Sequence, residues 1–476
     1  MQAQVVTMRR NVSATLLLLV KGPSSLAAAT QPVAAAAAAA TATATQRGQN
    51  NIRQHPNWAR VYTTSLRVRG GASSQEQQMG LGAAAATPTA EDPFSHLPGI
   101  EPSLLTIERT TSPGSKQEKS SLLFGKTFTD HMLNIDWDSE GGWREPKIMP
   151  YGDLRVSPAA SSLHYGLQCF EGMKAYKDED GNVRLFRPDL NIKRLNKSLA
   201  RLHFPMVDEA AVIELLSKLV MEDADWIPEG DGYSLYIRPT VVSTYPYLGV
   251  SPADSVKLFV ILSPVGPYYK EGFKPVKLYA DTVNTRAWPG GMGFAKAGGN
   301  YAPTILPAVE AQDKHGCAQA SKKKRILWLF GDEHYVTEVG AMNIFFLIEK
   351  EDGGGVELIT SPLDNGDILD GVTRRSVLEL ARGWQGSEEG GETLTVSERQ
   401  LTMGEVMKAS REGRLLEVFG TGTAAVISPV KAIKYQGRDI EVPTGENVGP
   451  LSKRLWETLT DIHYGRVEHS WSVRIS

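Results

Sequence analysis

Between Arg286 and Glu310 the chain carries a single charge, Lys296, set in the run Met292-Gly293-Phe294-Ala295-Lys296-Ala297-Gly298-Gly299-Asn300-Tyr301-Ala302-Pro303. That pattern narrows what the segment can be. An unpaired ammonium costs several kcal/mol to bury, so a lysine is ordinarily a solvated surface cation. In apolar surroundings it gives up its proton more readily and becomes an amine nucleophile, able to form a Schiff base with a carbonyl. The glycines let a bulky group approach the backbone closely. The segment alone is equally compatible with a glycine-rich loop whose lysine points at water.

The 476 residues, 41% hydrophobic with a formal net charge of −3, suit two domains or one large one. No apolar run approaches the roughly 20 residues of a membrane-spanning helix. Cys169 and Cys317 form no CxxC pair, which argues against a disulfide framework or a thiolate metal site. No nucleic-acid or nucleotide motif is present. The first acidic residue is Glu76, preceded by Arg9, Arg10, Lys21, Arg47, Arg53, Arg60, Arg67 and Arg69 among many Ala, Ser and Thr. A basic, acid-free, hydroxyl-rich leader is the composition of an organellar transit peptide. Arg60-Val61-Tyr62 before Thr63-Thr64-Ser65 resembles a mitochondrial processing region, so the mitochondrial matrix is the expected destination. A plastid leader shares the composition, and Leu16–Val20 after Arg9-Arg10 also fits a short secretory core. Without those eight cations, 43 basic residues face 54 acidic ones, a balance that argues against non-specific nucleic-acid binding.

Residues 1–75 read as leader, including the alanine run 34–40, and 76–114 as a flexible linker, with folded structure beginning near Leu122. The runs Tyr233–Val242 and Val256–Leu262 are strand-like. Asp189 after Pro188 is placed to cap a helix carrying Leu195, Leu199 and Leu202, and Glu209–Trp226 is a second amphipathic helix. Gly266–Pro275 is the expected hinge between a small N-terminal domain, 115–265, and a larger C-terminal one, 276–476. Ile326–Phe330 and Tyr335–Glu349 read as strands around a turn at Asp332, and Thr402-Met403-Gly404-Glu405 is a capping box. Leu451, Leu455, Leu459 and Ile462 stripe a final helix. Helices and strands mix without strict βαβ repetition, so the expected class is mixed α/β (α+β).

FAKAGGNYAP (294–303), TEVGAMN (337–343), DGVTRRSVLEL (370–380) and EVFGTGTA (417–424) follow one another as in the branched-chain amino-acid aminotransferases. LFGKTFTDHML (123–133), SSLHYGLQCFEGMKAY (161–176), RLFRPDLNIKRL (184–195) and YIRP (236–239) extend the similarity over about 115–465. The resemblance implies a two-domain, fold type IV enzyme with pyridoxal 5′-phosphate (PLP) at the domain interface. It also implies a homodimer acting on leucine, isoleucine, valine, glutamate and their 2-oxo acids, with neither nucleic acid nor membrane as partner.

On that resemblance, Lys296 forms the imine and shuttles the proton. Glu338 faces the pyridine nitrogen, and Tyr301 donates to the phenolate oxygen. Arg194, the helix start at Val372 and Thr373, and the hydroxyl of Thr423 take the phosphate. Phe124, Tyr165 and Tyr236 line an apolar side-chain pocket. Arg238 receives the distal carboxylate of glutamate, while the N–H groups of Thr423 and Ala424 face the substrate carboxylate. Each has a plainer alternative: a solvent-facing strand glutamate, a packed tyrosine, a solvated face for Arg194 beside Lys193, Lys197 and Arg201. Two departures stand out. Ala424–Ser428 lacks the Cys-x-x-Cys of mammalian mitochondrial members, and Ala341 stands where several relatives have threonine. Ser321–Lys324 reads as an inserted solvated loop. D-amino-acid aminotransferases and aminodeoxychorismate lyases share the fold, and a non-catalytic PLP-binding protein is the alternative from another class.

Overall fold

A computed structural model describes residues 91–267, 273–315, 326–385 and 394–476. The leader, the cysteine at 317 and the insertion 321–324 lie outside the described residues, as do residues 268–272 of the expected hinge. Among the described residues no helix is long and apolar enough to cross a membrane.

Two sheets carry the fold. In the ten-stranded first sheet the central pair is Ser234–Ser243 and Ser255–Val265, antiparallel over its whole length. The second of these strands buries alternate residues, Val256, Leu258, Val260 and Leu262, as a strand must when only one face meets the core. Helices Pro188–Arg201 and Glu209–Glu222 cover that face with Ile192, Leu195, Leu199, Leu215 and Leu219, all fully buried. The nine-stranded second sheet runs from Tyr335–Val339 through Ile326–Phe330, Val276–Asp281, Val426–Tyr435, Leu415–Gly422 and Met342–Glu349 to Val356–Thr360 and Leu394–Glu398. Tyr335–Val339 also pairs with Met342–Glu349, closing the path on itself. A third core joins the layers. Tyr176 and Phe186 from the first sheet pack with Phe345 and Phe419 from the second, and with Leu455 and Leu459 of the helix Pro450–His463. Each fully buried leucine there contributes roughly 1.5–3 kcal/mol.

The capping box at Thr402 forms as expected, with both reciprocal bonds to Glu405. Three local expectations are corrected. Asp189 does not cap its helix: the N-cap is Arg187, in the left-handed region at φ 46°, and Asp189 sits inside the first turn. Tyr335–Glu349 is two strands, because Gly340 at φ 58° turns the chain between Val339 and Met342. Packed structure begins well before Leu122: Ile100 is buried, Phe94 meets Trp137 edge-on at 4.9 Å, and Thr106–Ile107 pairs with Lys147–Pro150. The strand Ser472–Arg474 pairs with Val183–Phe186 of the first sheet.

Candidate active site

Lys296 lies in the segment between Val276–Asp281 and Ile326–Phe330, both strands of the second sheet. It sits at a point where that segment touches Cys169 of the first sheet, and its backbone is pinned at two points. Its N–H donates to Ser198 Oγ at 2.9 Å, and its carbonyl accepts from the N–H of Phe170 at 3.1 Å. The half-buried Nζ lies 3.2 Å from the Tyr301 hydroxyl and 5.0 Å from the centre of the Phe170 ring. The lysine therefore faces an aromatic enclosure instead of open water.

Glu338 is buried on the strand Tyr335–Val339. One carboxylate oxygen accepts from the Leu369 N–H at 2.8 Å and from Asn343 Nδ2 at 3.2 Å; the other meets Arg286 Nε at 2.9 Å. Burial pushes this carboxyl above its usual range, with Arg286 and the Leu369 N–H opposing the shift. Arg286, itself buried, is one of the two charges that bound the neutral stretch around Lys296, and that boundary is the signal from which it could have been read.

Arg194 is not on a solvated face. It is 5% exposed and forms a fork with the fully buried Glu171, through Nε at 2.8 Å and Nη2 at 2.7 Å. Its Nη1 donates to the Asp370 carbonyl at 2.9 Å, which brings the guanidinium to the start of the helix Val372–Gly383. Burial alone would raise the Glu171 carboxyl, but Arg194, Lys296 and Asn191 hold it below its usual range. A guanidinium has five N–H groups, so Arg194 retains donors for an anion after these three bonds. The helix beside it opens after Gly371 with no side-chain cap, which leaves the N–H groups near Val372 and Thr373 directed outward from the helix start. Glu171 was missed in the sequence, although an acid between Phe170 and Gly172 in an apolar strand run is itself unusual.

Thr423 reaches this cradle from the second sheet, its hydroxyl 3.3 Å from the Gly172 carbonyl. The Ala424 carbonyl accepts from Lys174 Nζ at 3.2 Å. Lys174, also missed, is buried beside the strand turn, and burial pushes its ammonium down to about 8. Gly172 must be glycine: an added Cβ would lie 2.0 Å from the Tyr236 hydroxyl.

The aromatic residues separate into two groups. Phe124 and Tyr236 meet edge-on at 4.7 Å, and Arg238 Nη2 donates to the Tyr236 hydroxyl at 3.0 Å. The Arg238 guanidinium lies 4.7 Å above Phe170, the ring that Lys296 also faces, and its buried Nε has no partner among the described residues. Tyr165 stands apart, 43% exposed on the short helix Ser161–Tyr165, with its hydroxyl donating to the Leu248 carbonyl.

The donor set fits PLP. It offers an amine for the aldehyde, a buried carboxyl for the ring nitrogen, a phenol for the phenolate, and a guanidinium beside an uncapped helix start for the phosphate. Residues 168–433 match the family described as amino-transferase class IV. Fold and site together define a PLP-dependent class IV aminotransferase of fold type IV. A branched-chain-amino-acid aminotransferase of Monosiga brevicollis is 49% identical over 79% of this chain and 93% of its own length. The mitochondrial branched-chain-amino-acid aminotransferase of Bos taurus is 48% identical over 78% of this chain and 91% of its own. The solved branched-chain aminotransferase of the archaeon Thermoproteus uzoniensis with norvaline superposes with TM-score 0.55, at 25% identity over 73% of this chain and all of that one. The chain belongs to the branched-chain-amino-acid aminotransferase family.

Proposed function

We propose that this enzyme transfers the amino group of leucine, isoleucine and valine to 2-oxoglutarate, with Lys296 as its catalytic residue. The observation that carries the reading is the enclosure of Lys296 Nζ by Tyr301 and Phe170, with its charge acting on both buried carboxylates, Glu338 and Glu171. When bound, PLP supplies an aldehyde for the amino group and a ring that accepts electrons. Lys296 Nζ takes the proton from the substrate α-carbon and returns it, held in line by the Tyr301 hydroxyl. Glu338 holds a proton at the pyridine nitrogen, and Arg286 keeps the buried carboxylate compensated. Arg194, the helix start at Val372-Thr373 and Thr423 grip the phosphate. Phe124, Tyr236 and Phe170 keep water from the apolar side chain, and the Thr423-Ala424 N–H groups orient the α-carboxylate. Lys296→Ala should abolish transamination while leaving the far-ultraviolet circular dichroism spectrum unchanged. Near-normal turnover of L-leucine in that variant would overturn the assignment.

A homodimer is supported by exposed apolar residues, including Leu163, Leu248, Val250, Ile305 and Leu306. Tyr165, bonded to Leu248, belongs to this surface and would serve the pocket from there. A monomer in sedimentation equilibrium at micromolar concentration would refute it. The leader composition and the mitochondrial relative together support a matrix location, which fractionation of the native cells would test.

A further inference from the structure

The last residues of the chain do more than close a sheet edge. Trp471 precedes the strand Ser472–Arg474, and its carbonyl accepts from the Arg187 N–H at 2.8 Å. Its indole ring lies 4.2 Å from the Arg187 guanidinium, with Phe186 edge-on at 6.2 Å. Arg187 is 8% exposed and left-handed, a conformation that a non-glycine residue holds only where its surroundings fix it. From this position it reaches across to the second layer. Nη1 donates to Ser376 Oγ at 3.1 Å and Nη2 pairs with Glu379 at 2.9 Å, while Ser376 Oγ in turn donates to the Val372 carbonyl at 2.9 Å. Arg187 is also the N-cap of the helix that carries Arg194. One side chain thus links the start of the Arg194 helix to the first turn of the Val372 helix, and the C-terminal tail holds that side chain from behind.

We infer that the C-terminal tail is a strap, with Trp471 as a positioning residue that fixes the spacing between the two halves of the phosphate grip. The inference rests on the reading of Arg194 and Val372-Thr373 as that grip. The strand pairing from Ser472 to Arg474 seats the strap, and the Ile475 N–H closes it on the Val183 carbonyl at 2.9 Å. A cation–π contact is stronger with a desolvated guanidinium than with an exposed one. Its loss should therefore appear as looser cofactor and leave the proton transfer intact.

The test is the rate at which PLP leaves the holoenzyme, followed by fluorescence during dilution, for wild type, Trp471→Leu, Trp471→Phe and Arg194→Met. Trp471→Leu should release PLP about tenfold faster, keep its kcat within twofold at saturating PLP, and be largely rescued in Trp471→Phe, which retains a π face. Arg194→Met should release PLP faster still. Equal release from wild type and Trp471→Leu, with Arg194→Met impaired, would overturn the strap alone. Wild-type release from Arg194→Met would overturn the phosphate reading and the strap with it. Equal losses in the Leu and Phe variants, matched by equal drops in the melting temperature of the apoprotein, would reduce Trp471 to packing and also overturn the strap.

Discussion

Arg286 and Glu338 show how much of the site is decided by single buried charges. The pair lies where water cannot compensate either partner, with side-chain exposures of 4% and 3%. Removing one partner of such a pair costs about 3–5 kcal/mol, because the other is left as an uncompensated charge. Arg286→Met should therefore destabilise the protein by that order in urea unfolding, and a following Glu338→Gln change should recover part of the loss. If the two losses simply add in the double variant, the residues are not coupled in the folded state. Glu338 was legible from its place in an apolar strand together with the family resemblance. Arg286 and Glu171 were not singled out, because the sequence shows a charge in an unusual place but not the partner that compensates it, and Glu171 is 23 residues from Arg194. Tyr165 shows the converse: it lies in one of the motifs that carry the resemblance, but within one chain its side chain is 43% exposed and its hydroxyl donates to the Leu248 carbonyl.

The helix Pro188–Arg201 was legible from its leucine spacing, and the strands Ser234–Ser243 and Ser255–Val265 as strand-like runs, though not their pairing as a hairpin, since element type depends on local pattern. What escaped depends on partners distant in sequence: the return of Ser472–Arg474 to the first sheet, and an N-cap in which tertiary contacts hold Arg187 left-handed while Asp189 is displaced into the helix. The final helix, Pro450–His463, gives a test at this scale. Its last residue, His463, is buried with its ring stacked on Tyr176 at 4.7 Å and edge-on to Phe186 at 4.3 Å. Burial, reinforced by the Lys174 ammonium, pushes this imidazole down to about 3, below its unfolded value of about 6.5. Below pH 6.5 the unfolded chain takes up a proton that the folded helix refuses, so stability must fall as pH drops from about 6.5 toward 3. The effect reaches at most about 2 kcal/mol at pH 5. His463→Phe keeps the ring contacts and removes the titration, so its melting temperature should decline less than wild type between pH 7 and pH 5. Parallel decline of the two proteins would show that other groups set the acid limit.

Across the whole molecule, two sheets are held by one shared core, and each contributes a different part of the chemistry. The first sheet and its helices carry Arg194, Tyr236 and Arg238, the second Glu338 and Thr423, and Lys296 sits on a loop of the second that reaches the first. The same pocket must admit an apolar side chain in one half-reaction and a carboxylate in the other. We propose Arg238 for that alternation: its guanidinium is anchored to the Tyr236 hydroxyl and covered by Phe170, while Nε is left unsatisfied among the described residues. A buried donor without a partner is costly, and a distal carboxylate would relieve it. Such a charge-assisted bond contributes roughly 1.5–3 kcal/mol, so Arg238→Met should lower single-turnover kcat/KM for glutamate by about 10- to 100-fold more than for leucine. The Tyr236 contact complicates a naive reading, because losing it would also disturb the wall against which leucine packs. Tyr236→Phe separates the two effects: it breaks the Arg238 bond but leaves both the ring and the guanidinium. If that variant affects leucine and glutamate alike while Arg238→Met singles out glutamate, the arginine is the carboxylate receptor. Equal loss for both substrates in Arg238→Met would make it a structural brace for Tyr236, and the alternation would need another cation.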